Sequence, residues 1–161
     1  MATLASGVAL ASSRLAASGD DGISRTAESI HQDVPIAASP QRIYSALTDA
    51  AQFTEMTALG GMKNARPAAI DRDEGGAFSL FGGAIVGRHL ELVPDRRLVQ
   101  AWRETSWDPG VYSIVKFDLR PKGAGTLIVF DHTGFPTGAA AHLSVGWGEH
   151  YWEPLKLLLS K

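Results

Sequence analysis

The sequence predicts an α+β fold in which a curved antiparallel sheet wraps around one long C-terminal helix. Three observations carry this expectation. Residues 65–132 hold a succession of short strand-like segments separated only by turn signals. Helical spacing is confined to the two ends of the chain. The C-terminal stripe Leu143, Trp147, Tyr151, Leu155 and Leu158 repeats large residues at three- and four-residue steps. Such a stripe covers one helix face and needs an apolar surface to lie on. Strands in a row with short connections give an antiparallel meander, and helices segregated to the ends give α+β rather than α/β. A sheet gripping one helix can leave a cavity between them.

The elements follow in order. Residues 1–26 are set apart as a disordered or signal-like leader, and residues 27–161 as the folded domain. Met1 to Gly22 is dominated by Ala, Ser, Gly and Leu and has no aromatic residue. Val8 to Ala11 and Leu15 to Ala17 look like small-residue cleavage sites, but no Lys or Arg precedes the weak apolar region, as an export signal would require, and Arg14 lies after it. Ile30 to Ala37 reads as a strand. Ser39 suits a helix N-cap and Pro40 the first helical position, where its missing N–H costs nothing. Ile43, Tyr44 and Leu47 follow at helical spacing, Thr48-Asp49 breaks the helix, and a second short helix runs from Ala51 to about Met56. Strands are then expected at Ala65–Asp71, Ala77–Phe81, Ala84–Val93, Leu98–Glu104 and Val111–Leu119, with a final strand from Thr126. Gly82-Gly83 reads as a tight hairpin turn, and residues 121–125 as the turn into the last strand. In that strand Ile128, Phe130 and His132 share one face, opposite Asp131. Pro154 lies inside the C-terminal helix pattern and is expected to kink it, because it removes the bond to the carbonyl of His150.

At 161 residues the chain is one domain with enough length for a substantial core. Hydrophobic residues make up 45% and charged residues 20%, ordinary for a globular protein. The formal net charge of −2 and the lack of any arginine-rich run argue against nucleic acid as a partner. Cysteine is absent, which excludes disulfides, thiolate catalysis and Cys-ligated metal sites. No apolar run reaches the roughly 18 to 20 residues of a membrane span. The compartment stays open, leaning to the cytoplasm, with export the alternative if the leader is a truncated signal.

The stretch Ile36-Ala37-Ala38-Ser39-Pro40-Gln41-Arg42-Ile43-Tyr44-Ser45-Ala46-Leu47-Thr48-Asp49 resembles the opening of START-like (SRPBCC) domains. Within that superfamily it is similar to the branch named after the activator of the heat-shock-protein-ninety ATPase. Gly82-Gly83, Gly87, Leu90 to Pro94, Leu98 to Trp102, Gly125-Thr126, His132 to Phe135 and Gly146-Trp147 match in order and spacing, so the resemblance runs from about residue 30 to the C-terminus. It implies a helix-grip fold with a cavity between sheet and helix. It implies no single function, because the family spans lipid and hormone binders, polyketide cyclases and co-chaperone domains.

The large aromatics are either core filling or cavity lining, since buried indole and phenol groups need polar partners. Trp102, Phe117, Phe130, His132, Trp147 and Tyr151 are the ligand-binding candidates. Trp102 and Trp147 match positions the family uses where sheet meets helix. His132 reads either as a core histidine bonded to a backbone group or hydroxyl, or as a polar anchor or general acid. His89 is the second acid–base candidate. Alternation places it with Glu91, opposite Arg88, Leu90 and Leu92, on what reads as a solvated polar face with one ion pair. Arg103 and Glu104, flanking Trp102, read the same way. Asp71, Asp73 and Glu74 read as a turn, because no calcium-loop spacing follows them.

His89, His132, His142 and His150 form no pair at helical four-residue spacing, so no metal site is expected. The chain has neither a phosphate loop nor a nucleophile elbow, so no cofactor is expected. The leading expectation is a START-like domain binding a small apolar or aromatic molecule. The alternatives are a cofactor-free cyclase or hydrolase-like enzyme and a co-chaperone-like interaction module. A homodimer through a long edge strand is a further expectation.

Overall fold

The computed structural model describes residues 28–161, so the leader assigned to residues 1–26 lies outside the described residues. Seven antiparallel strands form one sheet: β1 (Ser29–Ile36), β2 (Ala69–Ile70), β3 (Ala77–Leu80), β4 (Ile85–Val93), β5 (Arg97–Glu104), β6 (Ser113–Lys122) and β7 (Gly125–Thr133). Their spatial order is β1-β7-β6-β5-β4-β3-β2. The opening strand therefore pairs with the last one, and β6, β5 and β4 occupy the middle. Between β1 and β2 lie α1 (Pro40–Thr48) and α2 (Ala50–Leu59). The C-terminal helix is continuous through three segments: α3 (Ala140–Gly146), a π-helical segment (Trp147–Trp152) and α4 (Glu153–Leu159). This is the expected helix-grip arrangement, a curved sheet closed on one side by a long helix.

Local chemistry explains the helices. Ser39 caps α1 by accepting from the amide of Arg42, with Pro40 in the first turn, and Asp49 caps α2 by accepting from the amide of Gln52. The stripe read from the sequence is the buried face of the C-terminal helix. Leu143, Trp147, Tyr151, Leu155 and Leu158 are all buried, joined by Trp152, Pro154 and Leu159. They lie on the inward side chains of β5, β6 and β7, among them Leu98, Val115, Phe117, Ile128 and Phe130.

Three expectations about the elements need correction. The strand expected at residues 65–71 shrinks to Ala69–Ile70. Pro67 has no N–H to give a ladder, and the amide of Ala68 donates to Thr54 Oγ1 at 2.9 Å, which fastens this segment to α2 instead of the sheet. The Gly82-Gly83 hairpin is a 3-10 turn that begins at Phe81, and Phe81 itself has φ of 52°. Strand β6 runs on through Pro121 to Lys122, leaving two residues for the final hairpin turn.

Around Pro154 the chain stays helical: Trp152 (φ −69°, ψ −46°) and Glu153 (φ −67°, ψ −48°) keep helical dihedrals. The wider π winding precedes the proline, and the amide of Glu153 donates to the carbonyl of Gly148, five residues back. Proline and π winding are both recognised places for a helix to bend, and here they adjoin.

Strand β4 also departs from simple alternation. The pairing with β5 shifts between His89 and Glu91, a bulge that leaves Leu90 outside the register. His89, before the bulge, shares the inward face with Ile85 and Gly87 and is fully buried, while Leu90 is exposed and Leu92, beyond the bulge, packs against the core. The solvated face expected for His89 does not exist. Its ring lies 5.3 Å from Phe78, its Nδ1 is 3.4 Å from Gln100 Nε2, and its Nε2 has no partner. Burial holds its pKa below the usual histidine value.

Candidate functional site

A cavity of about 390 Å³ opens between the C-terminal helix, the Phe81 turn and the end of β5. Its inner wall is apolar and comes from Phe81, Ile85, Trp102, Leu143, Trp147 and Tyr151. Its rim carries the exposed residues Met62, Thr105, Ser106, His142 and His150, with Glu104 partly buried between them. The volume falls at the lower end of the range for small-molecule sites, and the composition, apolar with a few polar groups, is the usual one.

Each wall has a local cause. Trp102 faces inward because β5 alternates, with Leu98 and Gln100 on the same side. Its indole Nε1 donates to Tyr151 Oη at 3.4 Å, tying sheet to helix across the cavity floor. Burial pushes the Tyr151 phenol well above its ordinary pKa, so it stays protonated. Phe81 enters the cavity because its backbone is left-handed, a conformation that costs a non-glycine residue on the order of 1 kcal/mol or more. Its ring packs edge-on against Phe53 and Tyr151 at 5.3 and 5.2 Å. Gly146 sits on the helix facing the space. A methyl group added there would find its nearest neighbour, His150 Cδ2, at 3.9 Å. The helix thus forgoes a side chain, at about 1 kcal/mol relative to alanine, at a position where one would fit.

Of the six ligand-binding candidates, Trp102, Trp147 and Tyr151 line the cavity. Phe117, Phe130 and His132 do not. They share the correct face of the sheet but lie one layer deeper, under Trp147: Phe130 and Phe117 stand 4.3 and 5.9 Å from its ring. His132 is fully enclosed. Trp147 Nε1 donates to His132 Nδ1 at 3.0 Å, which fixes the neutral tautomer with its proton on Nε2. That Nε2–H donates to Ser113 Oγ at 2.7 Å, and Ser113 Oγ–H donates to the carbonyl of Trp102 at 2.9 Å. The chain of bonds runs from the helix through β7 and β6 to β5. Burial pushes the His132 pKa down to about 4. Both ring nitrogens are engaged inside the protein, so His132 orients Trp147 and Trp102 from behind and offers no free nitrogen to the cavity.

His89 lies apart from this space. The rim holds the groups that residue reading passed over. Glu104 does not sit on a solvated face: it shares the cavity side of β5 with Trp102, its side chain is 23% exposed, and His142 Nε2 stands 3.6 Å from its Oε1. Alternation from Trp102 could have found it. Arg103, by contrast, points to the other side, donating to the carbonyl of Trp107 at 2.6 Å and stacking over Tyr112 at 5.6 Å. No cluster of three or more His, Asp or Glu with metal-site geometry occurs among the described residues. No helix among them is long and apolar enough to cross a membrane.

The family model described as "Activator of Hsp90 ATPase homolog 1-like protein" matches residues 37–160. The chain belongs to that family. Its curated relatives include the activator of 90 kDa heat shock protein ATPase homolog 1 of Mus musculus, 27% identical over 118 residues that cover 73% of this chain and 33% of the relative. The corresponding activator homolog of Dictyostelium discoideum is 33% identical over 88 residues, covering 54% of this chain and 23% of the relative. This member of the Hsp90-activator-like family therefore spans about a third or less of the length of those relatives. Among solved structures, an HSP90 activator from Plasmodium falciparum superposes with a TM-score of 0.73 at 24% identity, over 82% of this chain and 96% of that one. CalU16 from Micromonospora echinospora gives 0.68 at 26% identity, over 83% and 77%. The helix-grip fold of the family is thus the fold found here.

Proposed function

We propose that this chain is a small-molecule-binding member of its family, taking an apolar or aromatic ligand between sheet and helix without a cofactor. The observation that carries the reading is the open space beside Gly146. An aromatic wall and an empty position in the helix face each other, where ordinary packing would have filled the gap. The test is native mass spectrometry on protein purified gently from its own host, followed by thermal shift against lipid and aromatic metabolites. A retained or stabilising small molecule is the expected result. Gly146→Leu should abolish binding while leaving the fold intact, because its side chain enters the space without meeting the backbone. An empty protein with no stabilising ligand at millimolar concentration would count against the proposal.

A second reading has its own support. The curated relatives are named activators of the 90 kDa heat shock protein ATPase, which favours a co-chaperone-like interaction module. Co-purification of a chaperone that survives physiological salt is the outcome expected from it. A cyclase or hydrolase-like activity draws no support from His132, given its two internal hydrogen bonds.

A further inference from the structure

The cavity has two polar groups whose hydrogen-bonding capacity the protein leaves open, and they differ in kind. At the inner end, Tyr151 Oη accepts from the Trp102 indole. Its own proton has no acceptor among the described residues, although the residue is only 4% exposed and lines the space. A buried hydroxyl keeps such a donor unpaired only at a cost of about 1–3 kcal/mol unless something enters to accept it. At the outer end stands Glu104. A carboxylate can accept about four hydrogen bonds. Here it receives Ser106 Oγ at 3.2 Å and has His142 Nε2 at 3.6 Å, and among the described residues no Lys or Arg reaches it. A molecule filling the cavity would strip the remaining water from this carboxylate. An anionic ligand would be repelled, and a purely apolar one would leave Glu104 desolvated without compensation. A protonated amine satisfies it, and the Trp102 and Trp147 rings nearby add cation–π attraction. Trp102, whose indole holds Tyr151 Oη, and Glu104 lie two residues apart on one face of β5, a rise of roughly 7 Å.

We propose that the cavity selects an arylalkylamine with a hydrogen-bond acceptor at the far end of its ring system, the acceptor meeting Tyr151 Oη–H and the alkylammonium meeting Glu104. This rests on the reading of the cavity as a small-molecule site and specifies its ligand class. Calorimetric titration with matched indoles tests it: 5-methoxytryptamine, tryptamine, N-acetyl-5-methoxytryptamine and 5-methoxyindole-3-acetate, with 2-naphthol as the uncharged reference. The amine should bind about tenfold or more tightly than its N-acetyl form, as expected for a charge-assisted hydrogen bond, and the carboxylic acid should bind weakest. Glu104→Gln should erase the preference for the amine, and Tyr151→Phe should erase the preference for the methoxy compound over tryptamine. Thermal melts of both variants verify the fold, and the Glu104→Gln comparison stands alone if Tyr151→Phe is unstable. Equal affinities for amine, amide and acid, or an unchanged ratio in Glu104→Gln, would overturn the assignment. If 2-naphthol binds without such selectivity, this inference falls and the cavity reading stands. If no probe binds, including 2-naphthol, both fall.

Discussion

His132 is held on both sides within the fold, accepting from Trp147 at Nδ1 and donating to Ser113 at Nε2. Its imidazole is neutral in the fold, with a pKa near 4, while an unfolded chain would titrate near 6.5. The sign follows from proton uptake. Above about pH 6.5 both states are neutral and the histidine contributes no pH dependence. Between pH 6.5 and 4 the unfolded state binds a proton that the folded state refuses, so stability falls with acidification, by roughly 3 kcal/mol in all. His89, also held low by burial, acts in the same direction. Urea titrations from pH 8 to 4 should show this loss, and His132→Gln should show a smaller loss over the same window despite a lower stability at pH 8. An unchanged slope in the variant would remove His132 as the source. Residue-scale legibility had a clear limit. Alternation assigned Phe117, Phe130 and His132 to the correct face, but a face has depth, and only packing decides which side chains reach the cavity. Phe81 was invisible because its left-handed backbone, not its residue type, turns it inward. Gly87 could be matched to the family but not explained. Its space is occupied by the ring of Phe78 and the carbonyl of Ala101, which leave no room for a Cβ.

At the scale of elements, the sequence was most legible where one pattern acted alone. The capped helices and the apolar stripe of the C-terminal helix were of that kind. It misled where two patterns competed. The β4 bulge reverses the parity of every residue beyond Leu90, and nothing in the residue types announces it. Residues 65–68 had strand-like composition but gave the ladder no donors: the Ala65 amide donates to the carbonyl of Met62, Pro67 has no N–H, and the Ala68 amide donates to Thr54. That assignment makes a prediction. Thr54→Val keeps the shape of the side chain but leaves the Ala68 amide without its acceptor. It should cost about 1–2 kcal/mol and speed hydrogen exchange at the Ala68 amide, while the amides of β6 and β7 keep their protection. If Ala68 exchanges as before, the anchor is misassigned.

For the molecule as a whole, the question is whether the sheet edge recruits a second copy. Strand β1 is a full-length edge, as expected, but it is interrupted. Pro35, paired with Leu127 of β7, has no N–H to offer a further strand. Asp33 and His31 project charge from the same strand, and His31 is bound to Asp131 of β7 at 2.7 Å, an interaction that raises its pKa. Such features discourage edge-to-edge pairing. Sedimentation of residues 28–161 should therefore give a monomer mass independent of concentration, and a dimer would point to a surface other than β1.

The arrangement of aromatic rings has an optical consequence. All four tryptophans stand in a single file, Trp107 to Trp102 to Trp147 to Trp152, with successive ring centroids 5.6, 5.6 and 5.7 Å apart. At such separations excitation absorbed by any one indole is shared among its neighbours. The emission of the whole protein is therefore sensitive to the surroundings of the two middle members, which are the two that wall the cavity. A guest arriving there would change the colour and lifetime of the entire signal, so the unlabelled chain carries its own reporter of occupancy.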